Sequence, residues 1–315
     1  MDYFLFTLFN GLSYGLLLFL LSSGFTLAFG LMGVLNIAHA SFFMLGAYFA
    51  YEINMRLGFA AALLLAPVGV GLIGAAVERY LLRPVRSAGH MAELLLTFGL
   101  TYVITELVQL TWGRTAVPYG IPRGLDFPLF VFGGIEYSAY RILVLAVTVA
   151  IFIGSFLLFR VSRLGLVVQA ALDQPHMVAA LGYNVPLVFS GVFAFGAALA
   201  SIGGVLTGNM LGTQPTMALQ LGSLIFVVVV VGGLGSLAGA FIASLLIGVM
   251  QTLVASYPVT PAQISEALSI PTDFILRSAD LRSLSTASLA PLLPYALMII
   301  VLLVKPRGIM GSRDV

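Results

Sequence analysis

The sequence predicts an all-α protein: a polytopic transmembrane helical bundle of about 8–10 spans, forming one domain over residues 1–315. Three observations predict it. First, 60% of the residues are hydrophobic and only 8% are charged, with a mean hydropathy of +1.10; a soluble domain carries about 25% charge. Second, the apolar runs are continuous, as in "LLLFLLSSGFTLAFG" and "LIFVVVVVGGLGSLAGAFIASLLIGVM". Membrane-barrel strands instead alternate with period two. Third, lipid admits only helices or closed barrels, because every backbone polar group needs an internal partner. Continuous runs therefore mean helices.

A span needs about 20 apolar residues. Taken in order, nine runs qualify, near 4–29, 37–55, 58–80, 91–112, 141–159, 187–207, 220–233, 237–256 and 290–304, the seventh being short. No basic residue precedes the first run; Arg56 is the first in the chain. A cleavable signal peptide has a basic leading region, so this run reads as a retained span with its N-terminus outside. Arg79, Arg83, Arg86, Arg160, Arg163, Lys305, Arg307 and Arg313 fall on one side of the predicted topology. Arg56, Arg114, Arg123, Arg141, Arg277 and Arg282 fall on the other. Basic loops prefer the cytoplasm, which predicts an N-terminus outside and a C-terminus in the cytoplasm. Residues 113–140 and 257–289 become outside segments. In the second, Thr260-Pro261 reads as a helix start, since Pro suits the first helical position, with "PAQISEALSI" ending before Pro271.

The stretch "GLMGVLNIAHASFFMLGAY", Gly30 to Tyr48, interrupts this pattern. It sets Gly30 and Gly33, then Asn36, His39 and Ser41, where an unbroken span is cheapest. A faint echo lies 202 residues on: Gly30, Gly33 and Gly46 align with Gly232, Gly235 and Gly248. Duplicated halves with broken helices point to a central pathway in transporters. Gly30, Gly33, Gly232 and Gly235 serve either helix breaks or close helix packing. The intramembrane polar residues are Asn36, His39, Glu106, Gln109, Asn209 and Gln251. Such groups face the bundle or a water-filled path. Asn36, His39, Ser41 and Gln109 are the candidates for that path, with helix bridging as the alternative. Glu106 stands close enough to the outer boundary to reach water.

Residues 160–186 form a cytoplasmic loop containing "RVSRLGLVVQAALDQPHMVAALGYN". "LGLVVQAAL" suits a short helix. Pro175 fits a first turn, which places Asp173 and Gln174 at the start of a second helix. Gly182 ends it. The resulting elbow is apolar yet exposed, which suits either partner docking or a place in the membrane interface.

Several chemistries are excluded. There is no cysteine, hence no disulfide, thiolate metal site or cysteine nucleophile. The single lysine, Lys305, precedes Pro306, so no GxxxxGK[ST] phosphate loop exists, and the glycine-rich 232–239 segment is not one. Any ATP must bind another chain. His90 and His176 sit near the cytoplasmic side, away from His39, so no metal site is expected. No clustered acids or histidines suggest a membrane-embedded enzyme. A net charge of +2 implies no nucleic acid.

The segments "GLSYGLLLFLLSSGFTLAFGLMGVLNIAHASFFMLGAY", "RPVR", the elbow, "VVVVVGGLGSLAGAFIASLLIG" and "KPRGIMG" carry a resemblance across nearly the whole chain. The sequence resembles the membrane permeases of the branched-chain amino acid (hydrophobic amino acid uptake) ABC importer family, specifically the shorter of its two paired permeases. The resemblance implies a transport subunit with no catalytic residue and no cofactor of its own, working by alternating access. It implies a heterodimer with a second homologous permease. It further implies two cytoplasmic ATPase subunits that bind ATP and Mg, and a periplasmic solute-binding protein. Branched-chain or other small amino acids are the implied cargo, with urea, short amides or aromatic acids as alternatives. The elbow resembles the family's coupling helix: Ala170, Asp173 and Gly182 match its pattern, whereas Gln169 replaces an Arg and Pro175 departs from it. Arg114, Arg123, Arg277 and Arg282 are candidates for docking the binding protein. A stand-alone secondary transporter or channel is the competing class; it would need coupling residues in the spans and no ATPase.

Overall fold

The computed structural model describes residues 2–33, 36–132, 135–260 and 285–311. Helix α1 (Asp2–Met32) enters the bundle, and α2 (His39–Leu57) follows after a break. Helix α3 (Phe59–Val77) continues through a π turn (Glu78–Leu82), the single turn α4 (Arg83–Val85) and a 3-10 turn (Arg86–Ala88). Then come α5 (His90–Trp112), a hairpin of β1 (Pro128–Phe132) and β2 (Ile135–Ser138), and α6 (Ala139–Arg160). The short helices α7 (Arg163–Asp173) and α8 (Pro175–Ala180) precede α9 (Val185–Leu211). Helices α10 (Met217–Gly232), α11 (Leu237–Ser256), α12 (Thr286–Leu289) and α13 (Leu293–Val304) complete the described chain.

Each of the nine apolar runs forms a helix, but the runs are not equivalent. Among the described residues, seven helical segments are long and apolar enough to cross a membrane: Tyr3–Gly30, Phe59–Ala88, His90–Trp112, Ala139–Arg160, Val185–Leu211, Leu237–Ser256 and Thr286–Val304. Helix α10, with 16 residues, is shorter. Helix α2 carries His39, Glu52, Asn54 and Arg56, and its N-terminal half is enclosed by other helices. Its residues from His39 to Tyr48 are all buried, against α3, α9 and α10. A helix enclosed by other helices needs no lipid-compatible surface, so its lower hydropathy costs nothing.

The helices approach closely because glycines remove the side chains between them. Lipid supplies no hydrophobic drive between helices, so packing through small residues does that work. A Cβ on Gly15 of α1 would stand 2.7 Å from the Leu245 Cα of α11, and one on Gly46 of α2 would stand 2.5 Å from the Ser201 Cα of α9. Gly24 of α1 and Gly196 of α9 meet in the same way.

The segment 113–140 is more ordered than a loop. Phe130, Val131 and Phe132 pair with Tyr137, Glu136 and Ile135 in an antiparallel hairpin, and Val117 bridges to Thr213. Aromatic and β-branched residues around Gly133-Gly134 are a hairpin signal that a helix-only reading passes over. The buried Tyr119 ties the segment down by donating to the Val205 carbonyl at 2.9 Å. The helix expected over "PAQISEALSI" lies outside the described residues.

Candidate translocation cavity and helical elbow

The first break is local. Helix α1 runs through Gly30 and stops at Met32. Gly33 then takes φ +65°, a left-handed conformation that side chains resist, and its N–H donates to the Phe29 carbonyl at 2.8 Å. The chain re-enters helix after Asn36, whose carbonyl accepts the His39 N–H at 3.1 Å. The second break follows α10: Gly233 and Gly235 take φ +103° and +82°. Ser236 then caps α11, its hydroxyl accepting the Gly239 N–H at 3.0 Å. The "KPRGIMG" tail closes over this end, where the Ile309 and Met310 N–H groups donate to the Val231 and Gly232 carbonyls.

The echo at 202 residues is thus structural. Gly33 and Gly235 make the turns. Gly30 and Gly232 stay helical and permit close approach; a Cβ on Gly232 would stand 2.5 Å from the Ala240 nitrogen. Gly46 and Gly248 press against neighbouring backbones, of α9 and α1 respectively.

A cavity of about 460 Å³ opens beside the first break, between α1, residues 36–40, α5 and α10. Phe25, Ile37, Leu94, Ile225 and Phe226 give it an apolar wall, and Asn36, His39 and Ser223 contribute polar groups. Asn36 and His39 are each only 2% exposed. Both amide atoms of Asn36 and Nε2 of His39 are buried without a hydrogen-bond partner. Burying such groups unpaired costs roughly 1–3 kcal/mol each; Ser41 Oγ and both amide atoms of Asn209 are buried without a partner in the same way. The Ile37 N–H donates to Thr97 Oγ1 at 3.3 Å, fastening the break to α5.

The cavity unites Asn36 and His39 and leaves out the other two path candidates. Ser41 is fully buried in α2, away from the cavity lining. Gln109 is half-buried near the far end of α5. Of the remaining polar residues, Gln251 bridges to the Ala290 carbonyl at 3.2 Å, and Glu106 faces the surface, 3.9 Å from Arg114. Asn209 is half-buried in α9. His90 and His176 are exposed. Among the described residues no three His, Asp or Glu side chains gather into a metal site. The wall residues Phe25, Leu94 and Phe226 escaped the sequence reading, since nothing separates them from other apolar residues in spans; Ser223, a hydroxyl inside an apolar run, was the one available signal.

At the other end lies the elbow. Ser162 caps α7, accepting the Gly165 N–H at 3.2 Å. The second helix starts later than expected. Asp173 is the last residue of α7, not the start of α8. The break falls at Gln174 (φ −140°, ψ 70°), the residue that Pro175 forces out of the helical region. Gly182 at φ +89° ends the elbow, and the Asn184 side chain caps α9 by accepting the Leu187 N–H at 3.1 Å. Buried Ala171, Val178 and Val185 anchor the elbow, while Ala170, Leu166, Met177 and Leu181 are exposed. Pro175 is half-buried. On the opposite face, Arg123 opens a 3-10 turn (Arg123–Leu125). Arg277 and Arg282 lie outside the described residues.

Comparison with known proteins bears on this arrangement. Residues 7–302 match the family described as the branched-chain amino acid transport system permease component. The high-affinity branched-chain amino acid transport system permease protein LivH of Salmonella typhimurium is 30% identical, over 99% of this chain and 97% of that protein. The permease protein BraD of Pseudomonas aeruginosa, of the same description, is 28% identical over 97% and 95%. A probable branched-chain amino acid transport permease of Methanocaldococcus jannaschii is 26% identical over 78% and 79%. No solved structure matches the chain. A multi-pass bundle with broken helices and full-length matches of this kind have one reading: the chain belongs to the family of branched-chain amino acid transport system permease components.

Proposed function

We propose that this permease forms one half of the membrane pathway of an ATP-driven importer for branched-chain or other small amino acids. The carrying observation is the cavity at the first break. Its unpartnered Asn36 amide and His39 imidazole stand within a wall of Phe25, Leu94, Ile225 and Phe226. Such a site meets the polar backbone of an amino acid with neutral hydrogen-bonding groups and its side chain with apolar surface. No strong charge traps the cargo, which suits a path rather than a storage site. Alternating access would open this cavity to each side in turn.

The cavity lies between α5 and α10, which also expose Met91, Leu95, Phe98 and Leu219. Exposed apolar faces bordering the cavity suit a second, homologous permease that completes the path. The elbow, through Ala170, Pro175, Met177, Leu181 and Gly182, would dock on cytoplasmic ATPases that bind ATP and Mg. Arg114, Arg123, Arg277 and Arg282 would face a periplasmic binding protein. On this reading the chain would sit in a bacterial inner membrane with its N-terminus periplasmic and its C-terminus cytoplasmic. The test is reconstitution of the permease pair with its ATPases and binding protein in proteoliposomes, measuring leucine uptake. ATP-dependent uptake supports the reading. Uptake by this chain alone, driven by an ion gradient, would overturn it in favour of a secondary transporter.

A further inference from the structure

The "RPVR" turn, residues 83–86, puts each of its arginines between two helices. Arg83 closes on Glu78, whose side chain is fully buried, with Nη2 2.7 Å from Oε2. The same Nη2 donates to the Pro186 carbonyl at 2.8 Å and to Ser190 Oγ at 2.6 Å, both on α9. Ser190 in turn donates to Glu78. A buried carboxylate paired this completely is costly to release, so α9 is fixed to the end of α3 here.

Arg86 is held differently. Its guanidinium lies 5.0 Å from the Phe189 ring of α9. Its Nε stands 3.6 Å from Oε1 of Glu93 on α5, beyond hydrogen-bond length. Its Nη2 is buried without a hydrogen-bond partner. Glu93 is 3% exposed, and its other oxygen stands 3.5 Å from His90 Nδ1. Between Arg86 and Glu93 in the chain lies Gly89 at φ +94°, with open space around it.

These contacts form a continuous chain. The elbow leads through Gly182 and Asn184 directly into α9. Helix α5 carries Leu94 on the cavity wall and Thr97, which holds the Ile37 N–H at the break. We propose that the Arg83–Gly89 turn is the joint that carries motion of the elbow to the cavity wall. Arg83, Glu78 and Ser190 are its fixed pivot. The Arg86–Glu93 pair is its movable contact, closing in one state of the transport cycle and opening in the other as α5 turns about Gly89. A relay of this kind requires an element with two arrangements that both sites bias; the Arg86–Glu93 pair, standing at 3.6 Å beside the tight Arg83–Glu78 pair, is where the second arrangement is proposed. These are positioning residues, and the inference rests on the ATP-driven reading above.

The experiment uses the complete reconstituted complex, measuring leucine uptake and ATP hydrolysis in the same vesicles. Glu93→Gln is expected to lower the cargo moved per ATP about five-fold or more, with basal hydrolysis and melting temperature unchanged. The exchange Arg86→Glu with Glu93→Arg is expected to restore part of that ratio. The chain contains no cysteine, so an Arg86→Cys, Glu93→Cys pair joined by a cleavable thiol cross-linker gives an independent arm: uptake stops and returns on cleavage. A normal ratio in Glu93→Gln, or transport by the cross-linked pair, overturns the joint alone. A wild-type complex that moves no cargo with ATP overturns the functional reading and this inference with it.

Discussion

Gly30 of α1 and Gly235 of the second break touch: a Cβ on Gly30 would stand 2.6 Å from the Gly235 Cα, and a Cβ on Gly235 would stand 2.7 Å from the Gly30 Cα. The two broken segments therefore meet each other. In lipid, irregular backbone is tolerated where protein or a lined cavity surrounds it, and each break gives the other that surrounding.

Gly30→Val forces two backbones apart. Overpacking of this kind costs about 1–3 kcal/mol. The melting temperature of the purified protein in detergent is expected to fall by several degrees. Gly33→Ala meets no neighbour within 4 Å and faces only its φ of +65°; its loss should be smaller, roughly 1–2 kcal/mol. Equal losses for the two would contradict the division between packing glycine and turning glycine.

Asn36→Leu separates bracing from cargo contact. A bracing amide stabilises, so its removal lowers the melting temperature. An unpartnered buried amide costs stability, and replacing it with an apolar group is neutral or stabilising. Stability is expected to hold or rise, while uptake by the complex falls about ten-fold, the worth of about 1.4 kcal/mol of lost contact. A lower melting temperature with normal uptake would assign Asn36 to bracing.

On the elbow, Met177→Asp with Leu181→Asp places charge on exposed apolar residues without touching the buried anchors Ala171 and Val178. Affinity purification of this chain is expected to recover less ATPase, by at least about ten-fold, since truncating or charging a docking anchor costs about 2 kcal/mol or more. Undiminished recovery would place the elbow in the membrane interface instead.

Arg114→Glu tests the outer face. Its partner Glu106 is 3.9 Å away and 58% exposed, a contact worth little by itself. The fold is therefore expected to be unaffected, while the salt-dependent association rate of the loaded binding protein falls. An unchanged rate at low salt would leave Arg114 as solvated loop charge.

How much of this was legible follows from which forces the sequence displays. Hydropathy displayed the helices, since apolar length is what a bilayer demands. It could not say that the first half of α2 is enclosed, because a helix buried in protein and a helix facing lipid differ little in side-chain type; His39, Glu52 and Asn54 were the hint. The glycine echo announced two breaks, but whether Gly30 or Gly33 turns the chain depends on φ, which composition does not carry. Asp173 was assigned to the wrong helix because the proline rule acts on its immediate neighbour, Gln174. Asn36 and His39 were conspicuous as polar residues in an apolar field. Their cavity partners Phe25, Leu94 and Phe226 were invisible, since only folding brings three helices together around them. The Arg83–Ser190 contact joins residues 107 positions apart, and no local pattern announces it.

The central claim is that the cavity at the first break is the passage. The absence of native cysteine allows Asn36→Cys and Ser41→Cys to be labelled singly with a small charged thiol reagent in the working complex. Position 36 is expected to react during ATP turnover and to be protected by saturating cargo, while position 41, buried off the cavity, stays unlabelled. A position 36 that never reacts in any state of the cycle would contradict it.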